Sequence, residues 1–304
     1  MIKNITIASR ESPLAIWQAE HIKIKINQLY PDIIVKIKGF KTQGDLILDQ
    51  SLATIGGKGL FIKELEQALL ANRADLAVHS MKDLPMDIPL EFKISAITER
   101  EDPRDAFISN LYQSLESLPD GSIIGTSSLR RQSQIKAKFP NLIINPLRGN
   151  LQTRLRKLDG KEYDAIILAA AGLIRLGLEE RITLLLDEST SIPAVGQGAL
   201  GIEILKTNTN LQELLSPLNH QKTSICVRAE RAVSRALAGS CTVPLGAHAI
   251  IKNNKLHLKG FVAQANGSQI IYASEEGAID NPEMLGNKLS EKLINQGAKS
   301  ILSS

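Results

Sequence analysis

A chain of 304 residues with a formal net charge of +4, 43% hydrophobic, 22% charged and only 4% aromatic residues is a globular sequence too long for one ordinary core. That balance excludes disorder, collagen and coiled coil. The longest uncharged apolar run, residues 165–174, falls well short of the roughly 20 that cross a bilayer, and Lys3, Asn4, Arg10 and Glu11 interrupt the amino-terminal apolar residues, so neither a membrane span nor a secretory leader is expected and the cytoplasm is the default.

Residues 2–8 alternate as a strand does, and the next stretch carries Leu14, Ile16, Trp17, Ala19, Ile22, Ile26 and Leu29 at helical spacing until Pro31. A strand is expected over 33–40, a long loop over 42–59 between turn residues, a helix over 60–71, and a short apolar strand over 75–79 that runs into SMKDLP. Strand, helix, strand alternation predicts parallel βαβ units, whose ligands sit off the carboxyl ends of strands. The charged stretch 99–104 with its proline reads as an interdomain crossing. The rhythm then restarts, with strands over 122–125, 142–145 and 163–170, a helix opened by Ser127 or Ser128 and closed at Pro140, and another capped by Asn150. The glycine-rich segment 193–201 predicts a turn that leads the chain back to the first domain. A helix over 224–237, an Asn266-Gly267 hairpin and a last helix over 282–295 predict a small α+β domain. The expected domains are residues 1–98 with 199–219, residues 103–194, and residues 220–304.

Chemistry concentrates in a few segments. Between Thr126 and Lys157 lie five Arg and three Lys against no Asp or Glu. Arginine forks placed just after strands, where helix amino termini also favour anions, point to a small polyanion. Phe139 is the block's one stacking platform, which argues against nucleic acid. Asp83, beside Lys82 at the mouth of a buried strand, either exchanges a proton with a substrate or caps the turn before Pro85, and spacing alone favours the cap. Cys226 falls at an apolar helix position, whereas Cys241 lies in a loop and is the reactive candidate. With no His or Asn beside it, Cys241 suits a permanent attachment better than turnover as a nucleophile. The five histidines and two cysteines lack metal-ligand spacing, so no metal is expected.

Eight motifs in order resemble the porphobilinogen deaminase (hydroxymethylbilane synthase) family: TQGD from Thr42, GGKGLFIKELE from Gly56, DLAVHSMKDLP from Asp75, EREDPRDAF from Glu99, GTSSLRRQSQ from Gly125, LRGNLQTRL from Leu147, PAVGQGALGIE from Pro193 and GSCTVPLGA from Gly239. The resemblance spans essentially the whole chain. It implies an α/β fold in which two domains like the type II periplasmic binding proteins surround a cleft, followed by a small α+β C-terminal domain. It further implies a transferase of tetrapyrrole (haem) biosynthesis. Four porphobilinogen molecules are condensed head to tail onto an enzyme-bound dipyrromethane with release of ammonia, and hydroxymethylbilane is then hydrolysed off. By the same resemblance Asp83 is catalytic, and the dipyrromethane is joined by a thioether to Cys241. Asp45, Ser80, Lys82, Thr126, Ser128, Arg130, Arg131, Arg148 and Gly149 bind that cofactor, while Arg10, Ser12, Gln18, Arg154, Arg175 and Gln197 bind substrate. Ser240 and Thr242, which flank Cys241, are small departures. The expected partner is porphobilinogen, with no nucleic acid and no membrane, and the expected state is a monomer. The loop from about Gly44 to Gly57 is expected to act as a lid. The rival reading is a cytosolic two-domain anion-binding or effector-sensing protein, which would have no use for a pyrrole on Cys241.

Overall fold

The structure, a computed structural model, describes residues 2–46, 59–237 and 243–303. In chain order the elements are β1 (Asn4–Arg10), α1 (Pro13–Leu29), β2 (Ile34–Phe40), α2 (Gln43–Leu46), α3 (Lys63–Leu70), β3 (Leu76–Ser80), β4 (Phe92–Ile97), β5 (Asp105–Ile108), β6 (Ile123–Gly125), α4 (Leu129–Lys138), β7 (Ile143–Asn145) and α5 (Leu151–Asp159). There follow β8 (Ala165–Ala169), α6 (Ala170–Arg175), β9 (Leu184–Leu186), β10 (Leu200–Leu205), α7 (Thr209–Leu215), α8 (Gln221–Ala236), β11 (Leu245–Lys252), β12 (Lys255–Ala263), β13 (Ile270–Gly277), α9 (Pro282–Asn295) and α10 (Ala298–Ser303). They form two compact units, one of residues 2–46, 59–101 and 199–224, the other of residues 102–198, 225–237 and 243–303.

The first unit is a five-stranded sheet in the order β2-β1-β3-β10-β4. Period-2 alternation sends Ile5, Ile7, Leu76 and Val78 to one face, where Ala19, Ile22 and Ile26 of α1 cover them. Ala8 and Ala77 point to the other face, against Leu65, Ala68 and Leu69 of α3. A sheet covered on both sides needs apolar residues at successive positions, hence the buried run Leu76–His79. Ser12 caps α1 by accepting from the Ala15 N–H, and Pro13 starts the helix, where a missing N–H costs nothing.

The second unit carries a five-stranded sheet, β7-β6-β8-β5-β9, and a three-stranded antiparallel sheet, β11-β12-β13. The ten-residue apolar run resolves into β8, buried on both faces, and the start of α6, which packs Leu173 under it. Among the described residues no helix is long and apolar enough to cross a membrane. In the C-terminal sheet Leu256, Leu258 and Phe261 are buried, and α9 lays Leu285, Leu289 and Leu293 against it. The Asn266-Gly267 hairpin forms as expected, with Gly267 at φ +74°.

Two expectations are corrected. The sheets are mixed rather than parallel, because β10 runs antiparallel to both β3 and β4, and β5 antiparallel to β8 and β9. β10 enters from the 193–198 turn without a crossover helix, so nothing obliges it to run parallel. The loop over 42–59 contains a short helix, α2, and the helix foreseen at 60–71 begins at Lys63. Of the lid expected from about Gly44 to Gly57, residues 47–57 lie outside the described residues, as does Cys241.

Candidate functional site

In the first unit the site residues gather at the carboxyl ends of neighbouring parallel strands. The register pairs Ile7 with Leu76 and Ala8 with Ala77, so Arg10 at the end of β1 and Ser80 at the end of β3 share one edge of the sheet. A single 3-10 turn, Met81–Asp83, follows Ser80. Met81 and Leu84 anchor it by burial, and the Met81 N–H donates to the Ala199 carbonyl at 2.9 Å. Gly201 of β10 leaves room for it, since a Cβ there would stand 2.4 Å from the Met81 sulfur. This base holds Lys82 half-buried and Asp83 exposed, and no side chain makes a capping bond to the turn. Gln18, buried on α1, donates to the Ser80 hydroxyl at 2.9 Å.

Arg10 and Asp45 form an ion pair through Arg10 Nη2 and Nε. The guanidinium also lies 4.3 Å from the centre of the Phe61 ring, and the Thr42 hydroxyl donates to Asp45 at 2.7 Å. Burial alone would raise the Asp45 carboxyl, but the bonds from Arg10 and Thr42 outweigh it and hold the group below the usual carboxylate range. A residue expected to bind cofactor thus orients one expected to bind substrate.

In the second unit Ser128 is the N-cap of α4, but its side chain makes no capping bond, and no acid lies in the first turn of the helix. Thr126, buried, accepts from the Ser128 N–H at 3.2 Å. Arg130 and Arg131, expected to hold an anionic ligand, are 5% and 7% exposed, and both bind the fully buried Asp105. Asp105 is the residue that the sequence reading missed. The basic block contains no acid, yet β5 brings one to it from outside the block. The signal was an Asp leading the otherwise apolar strand Asp-Ala-Phe-Ile. Gln197 joins the same cluster, 3.0 Å from Asp105.

Of the remaining arginines, Arg148 precedes α5, Arg154 lies in α5 and Arg175 ends α6. Gly149 takes φ +109°, a left-handed conformation that disfavours any side chain, and a Cβ there would also meet Thr153 at 2.6 Å. Its carbonyl accepts from Arg154 Nε at 2.8 Å, and Asn150 caps α5 as expected. Arg148 is half-buried beside Gly149. Arg175, buried at the end of α6, donates to the Gly198 carbonyl at 2.6 Å. Cys226 is buried on α8. The donor set of guanidinium forks, hydroxyls and an acid-free helix start fits a carboxylate-bearing group.

Comparison with known proteins bears on the whole chain. Residues 5–213 match the family model "Porphobilinogen deaminase, dipyromethane cofactor binding domain", and residues 224–295 match "Porphobilinogen deaminase, C-terminal domain". A porphobilinogen deaminase of Thiobacillus denitrificans is 58% identical over 98% of this chain and 97% of its own length, and one of Methylobacillus flagellatus 60% identical over 99% and 97%. Among solved structures, immunogenic lipoprotein A from Vibrio vulnificus aligns with 72% of this chain and 96% of its own at 14% identity and a TM-score of 0.46. Two adjoining family models and full-length relatives at this identity leave one assignment: the chain belongs to the porphobilinogen deaminase family.

Proposed function

We propose that the chain condenses four porphobilinogen molecules onto a dipyrromethane held as a thioether on Cys241, releases ammonia at each addition, and frees hydroxymethylbilane by hydrolysis. The observation that carries this reading is the match of both family models along the chain. When bound, the dipyrromethane supplies the pyrrole carbon to which each unit is added, and its attachment makes each addition effectively intramolecular.

The chain's own residues serve that reaction in separate ways. Asp83 delivers a proton from its carboxyl to the departing amine and then, as a carboxylate, stabilises the cationic pyrrole. Its buried neighbours keep the turn fixed while the carboxyl itself stays exposed. Arg130, Arg131, Arg148, Thr126, Ser128, Lys82, Ser80, Asp45 and Gly149 serve the cofactor, with forks and hydroxyls for its carboxylates. Arg10, Ser12, Gln18, Arg154, Arg175 and Gln197 serve the incoming substrate. The division into residues 1–98 with 199–219, 103–194 and 220–304, the monomeric state and the cytoplasmic setting belong to the same proposal. Incubating the purified protein with porphobilinogen tests it. Release of one ammonia for each porphobilinogen consumed, with a linear tetrapyrrole as product, is expected, and consumption without ammonia release contradicts it.

A further inference from the structure

Asp105 opens β5 with a fully buried side chain, a costly place for a carboxylate unless it is closely partnered. Its Oδ1 accepts from Arg130 Nη2 at 3.0 Å, Arg131 Nε at 3.0 Å, Arg131 Nη2 at 2.8 Å and Gln197 Nε2 at 3.0 Å. Its Oδ2 accepts from Arg130 Nη1 at 2.8 Å and Ser191 Oγ at 2.6 Å. Backbone carbonyls fix each guanidinium from a second side, with Arg130 Nη1 donating to Ile192 at 2.7 Å and Arg131 Nη1 to Ile167 at 3.0 Å. The turn that carries Gln197 is held in its own right, because the buried Glu230 of α8 accepts from the Gly196 N–H at 2.7 Å and the Ala249 N–H at 2.9 Å. Long side chains that would lose rotamer freedom on capturing a ligand have therefore lost it beforehand.

We propose that Asp105 is a positioning residue, which sets the planes of Arg130 and Arg131 for the cofactor's carboxylates. The inference rests on the reading of those two arginines given above. Charge and position make opposite demands here. An anion at Asp105 repels an anionic ligand, so charge alone has Asp105→Asn capture the cofactor faster. If the carboxylate instead orients both forks, the same change slows capture.

Apo-protein of the wild type, Asp105→Asn, Ser191→Ala and Arg131→Leu, incubated with porphobilinogen and followed by intact mass, separates these cases, with circular dichroism reporting the fold. A misplacement of about 1 Å can cost on the order of 100-fold, and Asp105→Asn is expected to load more slowly by that order. Ser191→Ala keeps the charge and removes one donor, so a slowing of about threefold to tenfold is expected. The slowing of Asp105→Asn should appear with an unchanged circular dichroism spectrum, whereas slowing that only scales with a partial loss of that spectrum would mean general damage and overturn the assignment. Folded Asp105→Asn that loads as fast as wild type also overturns it. Should Asp105→Asn fail to fold, wild-type loading by Ser191→Ala overturns it instead. An Arg131→Leu protein that loads normally refutes the underlying reading of the arginines, whereas apo Arg131→Leu beside normally loading Asp105→Asn refutes the positioning role alone.

Discussion

Asp83 shows how little of a residue's setting its neighbours in sequence disclose. Spacing alone favours a turn cap before Pro85, yet the turn is held by Met81, Leu84 and the Met81 N–H bond to Ala199, which leaves the carboxylate exposed and available. Asp83→Asn preserves shape and cannot transfer a proton, so kcat should fall by about 10²- to 10⁴-fold while the fold and the attached dipyrromethane remain. Steady-state ammonia release at the wild-type rate would assign the acid elsewhere. Asp105 marks the opposite limit of legibility: a count of charges between Thr126 and Lys157 finds no acid because the acid belongs to a strand some 20 residues upstream in sequence. Only the antiparallel seating of β5 beside β8 places it under Arg130 and Arg131.

At the scale of elements, the sequence located α1, α4, α5, α8 and α9 within a few residues, because these helices bury one face or carry a cap or a proline at the start, and it located β2 and β3 as short, largely apolar runs. It missed β10's direction, which depends on where a long-range return docks and leaves no local pattern. The hairpin between β12 and β13 links the C-terminal sheet to the helix of the two arginines. Gly267 takes φ +74°, and a Cβ there would stand 2.7 Å from both the Ser133 carbonyl oxygen and the Ala137 nitrogen of α4. Backbone cannot retreat as a side-chain tip can, so Gly267→Ala should destabilise by about 1–3 kcal/mol. At about 2–4 °C per kcal/mol for a unit of this size, Tm falls by several degrees, and an unchanged Tm would show that the hairpin does not bear on α4.

For the molecule as a whole, stability in acid should depend on how the segment after β9 meets the C-terminal sheet inside the second unit. Glu188 bonds His248 of β11 at 2.6 Å and Lys259 of β12 at 3.3 Å. The His248 bond is the largest influence on its carboxyl, which lies at about 2 instead of the ordinary 4.5, although partial burial opposes the shift. A depressed carboxyl contributes stability above its unfolded pKa and loses it as pH falls through the folded one. Tm of the wild type should therefore decline between pH 4.5 and about 2 more steeply than that of Glu188→Gln. Parallel Tm curves across that window would contradict the role given to Glu188.

Central to the proposed reaction is one covalent bond, a thioether that would hold a dipyrromethane on Cys241. Intact-protein mass spectrometry with peptide mapping, before and after addition of porphobilinogen, measures this directly. The expected result is a mass above 33.2 kDa by a two-pyrrole adduct confined to the Cys241 peptide, with further species each heavier by one pyrrole unit once substrate is added. Protein that turns over porphobilinogen at the bare chain mass, with Cys241 recovered as a free thiol, would contradict it.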